Sequence, residues 1–184
     1  METHLPEDRD GFRFRGGHVA LDLAATLGAR LKEQPHELLA LPADLDRWLI
    51  SSGLAARPPR SIQEDLDLAR ELREAIYAIA SGRGESGARK RLNAIAALPA
   101  ARPQLSAQGE LEREGNAREY LATIAREAVE LFGGPEHERI RQCEGDGCSL
   151  LFLDLSRMGR RRWCSMQGCG NRAKARAFRD RGRE

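Results

Sequence analysis

The chain of 184 residues has room for one domain of ordinary size and a small appendage, and its 41% apolar content is enough for a core. No apolar run of about 18 residues marks a membrane span, and residues 1–17 are charged without the apolar centre of a secretory signal, so the expectation is a soluble cytoplasmic protein with no membrane partner. The net charge of +2 is unevenly placed: residues 139–184 carry twelve Lys and Arg against five Asp and Glu, the remainder 18 against 23, which puts the basic work in the tail.

In chain order, Phe12 and Phe14 alternate with Arg13 and Arg15, a short edge strand or a loop ahead of Gly16-Gly17. From His18 the chain turns apolar, Val19 to Leu27, and stops at Gly28; a helix of this composition is buried on most faces. Asp22 and Thr26, four residues apart, share one face, and a carboxylate inside an apolar run needs a partner or a ligand. His18, Asp22, Thr26 and Arg73 are therefore candidate ligand-binding residues. The plainer readings are a satisfied histidine and an Asp22 that holds Arg73 or a helix start.

A charged loop broken by Pro35 leads to a helix over 42–52, with Leu45, Trp48 and Leu49 facing the core and Gly53 ending it. After the linker Arg57-Pro58-Pro59-Arg60, Ser61 and Glu64 read as a capping box opening a helix over 61–80. Its stripe is Leu66, Ala69, Leu72, Ile76 and Ile79. Gly82 to Gly87 is a connector, and a helix over 88–98 turns Leu92, Ile95 and Ala96 inward. Residues 104–113 read as a small hairpin. Asn116 and Glu119 then open the last large helix, which buries Leu121, Ile124, Ala125, Ala128 and Leu131 and stops at Gly133-Gly134-Pro135. The expected division is a helical domain over 1–135 and a finger over 136–184.

The four cysteines form two pairs, Cys143/Cys148 and Cys164/Cys169, each with four residues between its members. Disulfides are one reading; in a reducing cytosol such pairs bind metal. A tetrahedral Zn²⁺ takes four thiolates at about 2.3 Å, and four protein ligands leave no open position for chemistry, so the ion is structural. Gly145, Gly147, Gly168 and Gly170 let the knuckles wrap closely. Between the pairs, Leu150 to Leu153, a turn at Ser156 to Gly159 and a return over Arg160 to Trp163 read as a hairpin. A closing helix follows, over 170–181, with Arg172, Arg176, Arg179 and Arg183 on one stripe, Lys174 and Arg181 opposite, and Phe178 packing on the hairpin.

The run Cys169-Gly170-Asn171-Arg172, with Arg161 to Met166 before it and Ala173 to Arg176 after it, resembles the CGNR zinc finger of bacterial transcription regulators. In that family the finger follows an N-terminal ABATE domain, proposed to sense a stress-related small molecule. Leu21, Asp22 and Thr26 resemble that domain's opening motif, Leu-Asp-Phe-Val-Asn-Thr, with Leu23 and Ala25 where Phe and Asn are usual. The resemblance implies a stress-responsive transcription regulator.

The expected fold is mainly α (α+β): a helical domain with a small hairpin, joined to a treble-clef-like or ribbon-like four-cysteine zinc finger. The expected function is duplex DNA binding, with Arg172, Lys174, Arg176 and Arg179 on the helix entering a major groove and Arg160, Arg161 and Arg162 touching phosphates. The partners are DNA, a small-molecule effector and a second copy in a homodimer. Alternatives are a zinc-stapled RNA-binding or protein-interaction module and a thiol redox sensor. No catalytic motif stands out, so an enzyme is not expected.

Overall fold

Helix α1 (Val19–Ala24) lies at the centre of the computed structural model, which describes residues 7–83 and 86–181. Ala20 through Ala24 are all buried, and α3 (Gln63–Ala80) and α5 (Ala117–Gly133) pack against this short helix. His18 begins it, Nδ1 accepting from the Ala20 N–H at 3.3 Å. The helix is shorter than its apolar run suggests. After Ala25 the Thr26 hydroxyl donates to the Leu23 carbonyl (2.7 Å), and the chain swings out as β3 (Leu27–Gly28), antiparallel to β4 (His36–Glu37). The charged loop over 29–41 therefore contains a strand.

Helix α2 (Pro42–Ser51) buries Leu45, Trp48 and Leu49 as the spacing predicts, and Phe14 stacks on Trp48 with ring centroids 6.0 Å apart. Helix α3 starts later than its expected cap. Asp65, not Glu64, turns back to accept from the Ile62 N–H (3.1 Å), because Ser61 is engaged with Asp46 across the linker, through both its N–H and its hydroxyl. Helix α4 (Ser86–Ala96) buries Leu92 and Ile95. Asn116 and Glu119 form the expected reciprocal cap on α5. The remaining hairpins of the helical part are β1 (Asp8–Arg9) with β2 (Phe12–Arg13) and the exposed β5 (Arg102–Leu105) with β6 (Leu111–Glu114). No helix among the described residues is long and apolar enough to cross a membrane.

A 3₁₀ turn (Pro135–Arg139) leads into the finger: β7 (Ile140–Gln142), β8 (Leu151–Leu153), a π-helical turn (Met166–Gly170) and α6 (Asn171–Arg181). The hairpin differs from the expected one. Leu151–Leu153 pairs backward with Ile140–Gln142, so the first knuckle is the hairpin's tip, and Arg160 to Trp163 is not a strand. That segment is held by single bonds, such as the Glu144 N–H to the Arg162 carbonyl at 3.0 Å. A knuckle at a hairpin tip followed by a ligand-bearing helix start is the treble-clef-like arrangement.

Strand β8 joins the two parts. Alternate side chains point to opposite faces, and here each face has its own core. Leu151 and Leu153 enter the helical domain's core with α1, whereas Leu150 and Phe152 pack with Cys143, Cys164 and Cys169. The Leu153 N–H also donates to the Gly16 carbonyl at 2.8 Å. Burying a leucine is worth about 1.5–3 kcal/mol, so the two leucines fasten the finger to the domain.

Candidate metal centre and nucleic-acid interface

The four cysteine Sγ atoms lie within 4.8 Å of one another, with Cys148 to Cys164 at 4.0 Å and Cys164 to Cys169 at 3.6 Å. A tetrahedral zinc with Zn–S bonds of about 2.3 Å needs sulfurs about 3.8 Å apart. All four thiols are free, and their separations are far beyond a disulfide bond. Cys143, Cys164 and Cys169 are buried and Cys148 half-buried.

The backbone is shaped to this donor set. Cys143 Sγ accepts from the N–H groups of Gly145 (3.4 Å) and Cys164 (3.3 Å), and a Cβ on Gly145 would stand 2.8 Å from Cys169 Sγ. Hydrogen bonds from the neighbouring thiols, Cys148 first, draw Cys143 well below the usual thiol range. The contact with Cys143 pushes Cys148 up to about 11 and also raises Cys164. Four sulfurs this close carry their full charge only around a cation. The residues fit one structural zinc ion, held by Cys143, Cys148, Cys164 and Cys169.

The basic residues divide by what they touch. Arg172 donates to Cys169 Sγ at 2.9 Å. Arg161 supports the second knuckle: it donates to the carbonyls of Trp163 (2.9 Å) and Cys164, and its guanidinium lies 4.6 Å from the Phe152 ring centre. Its own N–H goes to Asp154, a fully buried carboxylate that also accepts from the Ser156 N–H. Arg162 pairs with Glu144 (2.6 Å) and covers Trp163, and Arg176 pairs with Asp146 (2.8 Å). Arg160, Lys174, Arg179 and Arg181 are exposed and have no ion pair among the described residues. Arg183 lies outside the described residues. Phe178 does not pack on the hairpin. It is 73% exposed, because α6 buries none of its side chains.

Of the four candidates in the helical part, only Thr26 and Arg73 come together. Asp22 does not meet Arg73; its Oδ1 accepts the Gly16 N–H at 2.7 Å. Burial pushes this carboxyl up to about 7, against the opposing pull of the Gly16 and Arg15 N–H groups and of Arg9. Arg73 turns instead to Glu37 (2.6 and 2.8 Å) and Glu74 (2.9 Å), with Thr26 at 3.5 Å. Hairpin β3–β4 delivers Glu37, and Arg30 closes the cluster on Glu74. His18 stays at the start of α1, 4.0 Å from Glu127, and burial lowers its pKa. Sequence reasoning passes over Asp154 and Glu37. The Asp-x-Ser spacing of Asp154 and Ser156 is a recognisable local turn signal, whereas nothing local marks Glu37.

A helical domain sharing a strand with a treble-clef-like, four-cysteine finger defines a small zinc-finger protein whose metal is structural. Residues 17–135 match the model of the ABATE family, described as "putative stress-induced transcription regulator", and residues 139–182 match that of the CGNR zinc finger. The chain belongs to the ABATE family, with a CGNR zinc finger at its C-terminal end. No curated protein matches it.

Proposed function

We propose that the chain binds duplex DNA through its finger and that the helical domain adjusts this binding in response to a small molecule. The observation that carries the DNA reading is α6. Its start is tied to the metal centre through Cys169 and Arg172, while the rest of the helix buries no side chain. Lys174 and Arg181 sit on its outer side, and Arg160, without an ion pair among the described residues, stands on the approach to the second knuckle. Arg161, engaged with the carbonyls of the second knuckle, acts as a support, whereas Arg162, exposed beside Glu144, stays with Arg160 as a phosphate contact. The transcription-regulator description of the family favours this reading over an RNA-binding or protein-interaction module. We also take the chain to be a binding protein rather than an enzyme, since His18, Asp22 and Arg73 each have separate partners.

The test is selection from a genomic duplex pool with the zinc-loaded chain at several salt concentrations, repeated after chelation. Enrichment of a sequence that needs zinc and weakens steeply with salt supports the regulator. Arg160→Ala, Lys174→Ala and Arg181→Ala should then each reduce the salt slope by about one. A palindromic enriched site would report a homodimer. No binding, or equal binding to every duplex and to RNA, would replace this reading with the interaction module.

A further inference from the structure

Where α1 runs out into β3, the first knuckle and α6 close round an open cleft of about 740 Å³, a size typical of small-molecule sites, which span roughly 300–1,000 Å³. Its walls come from both parts of the chain. Ala24, Ala25, Leu27, Leu150, Ala173 and Ala177 give it a small-residue apolar surface, and Arg13, Lys32, Arg172, Arg176 and Arg179 bring five cations to it.

The charges do not cancel. Arg172 is committed to Cys169 and Arg176 to Asp146, while Glu144 pairs with Arg162. Arg13, Lys32 and Arg179 remain without ion pairs among the described residues; against these three stand Asp180 and the zinc tetrathiolate, whose charge of −2 reaches the wall through Cys148 and Cys169 and is half met by Arg172, which leaves the cleft a net charge of about +1. The exposed Lys32 side chain lies over the first knuckle, where a Cβ on Gly147 (φ +65°) would come within 2.6 Å of Lys32 Cε. The glycine thus lets the lysine stem lie against the knuckle. The Arg30 N–H bonds the Ser149 hydroxyl at 3.2 Å and ties the same loop to the finger.

Helix α6 has two sides with respect to this cleft. At 100° per residue, Arg172, Arg176 and Arg179 face inward with Ala173 and Ala177, and Lys174, Phe178 and Arg181 face away. A stripe of arginines read from the sequence as a groove reader is thus turned, in large part, toward the helical domain.

We propose that this cleft binds a small organic anion. Its carboxylate, sulfonate or phosphate group lies among Arg13, Lys32 and Arg179, and its apolar body lies on the alanine and leucine surface. As the effector site, the cleft rests on the sensing reading above, and an occupant would touch α1, the metal-bearing knuckle and α6 at once. A cationic rim over an apolar surface selects charge and shape together, since charge-assisted hydrogen bonds are the stronger ones and apolar burial supplies affinity without direction.

The test uses the full zinc-loaded chain and two fluorescent probes, anilinonaphthalene sulfonate and its uncharged analogue phenylnaphthylamine. The expected result is one saturable sulfonate site per chain, with the uncharged probe about tenfold weaker or worse. Lys32→Glu and Arg179→Glu should each weaken the sulfonate by a similar factor, and Ala177→Trp, an exposed position on the cleft wall, should block it. Arg181→Glu, on the outer side of α6, should leave it unchanged. Equal affinity for both probes, or undiminished binding by Lys32→Glu and Arg179→Glu, would overturn the site. Duplex binding is measured in parallel. A cleft that binds as described but never alters DNA affinity keeps the anion site and removes the sensing reading, whereas DNA binding without any cleft site does the reverse.

Discussion

The guanidinium of Arg172 donates to Sγ of Cys169 at 2.9 Å, so the last residue of the Cys-Gly-Asn-Arg run serves the metal centre directly. A donor on a metal thiolate spreads its charge and fixes its direction. Arg172→Ala should weaken zinc binding about tenfold or more, measured by competition with a chromophoric chelator. Arg172→Lys, which keeps the charge without the planar fork, should recover part of the loss. Unchanged zinc affinity in Arg172→Ala would leave the residue free for a surface role.

Strand β8 places Leu151 and Leu153 in one core and Phe152 in the other, so removing the metal should be felt beyond the finger. Chelation is expected to lower the melting temperature of the whole chain and to raise amide exchange in α1, because the Leu153 N–H to Gly16 carbonyl bond and the two leucines depend on β8. Leu151→Ala should cost about 2–5 kcal/mol and Phe152→Ala about 3–5 kcal/mol, read by denaturant unfolding. If α1 amides exchange equally slowly with and without zinc, the finger and domain are energetically separate.

What is legible in the sequence is local. The faces of α2, α3 and α5 follow from side chains three and four residues apart, and the zinc ligands from two equal spacings. Pairings set by distant chain segments are not legible. Ile140–Gln142 is three residues long with Arg141 at its middle, so nothing marks it as the partner of β8, whereas Arg160 to Trp163 lies at hairpin distance and reads as the partner instead. Arg73 and Asp22 suggest a pair because Asp22 sits in an apolar run and Arg73 lies beside the buried stripe of α3. The acid that reaches Arg73 is Glu37, delivered by a two-residue strand that periodicity cannot detect. The direction of the α6 arginines likewise depends on how the finger docks, which no helical wheel contains.

Arg73 is 4% exposed and bridges Glu37 and Glu74. Burial pushes the Glu37 carboxyl up, but the hydrogen bonds from Arg73 and the Leu39 N–H, together with the charges of Arg73 and Arg70, outweigh it and hold the pKa below its ordinary value. Glu37 is only half-buried and keeps the Leu39 N–H and Arg70, and Glu74 keeps Arg30, so losing Arg73 leaves them partly unpaired, at about 1–3 kcal/mol. Arg73→Met should therefore destabilise the chain by about that amount in urea, and Arg73→Met with Glu37→Leu should regain part of it. A double variant as unstable as the sum of its single variants would show that the two side chains act independently.

Asp22 has the opposite sign. Its carboxyl is raised by burial from 3.8 to about 7, so between those values the folded chain keeps a proton that the unfolded chain has released. Its contribution is fully present at the acid end of that window and is lost as the pH rises through it, roughly 4 kcal/mol across the whole window. Asp22→Asn retains an oxygen to accept the Gly16 N–H and cannot ionise. Urea unfolding across the pH range should show wild type and variant close together at the acid end and the variant more stable at the alkaline end. The Gly16 turn that Asp22 holds is also where β8 of the finger attaches, so the variant should keep zinc affinity unchanged at high pH while flattening the stability profile. A variant whose stability falls with pH as steeply as wild type would assign that slope to other groups and leave Asp22 as a plain backbone acceptor.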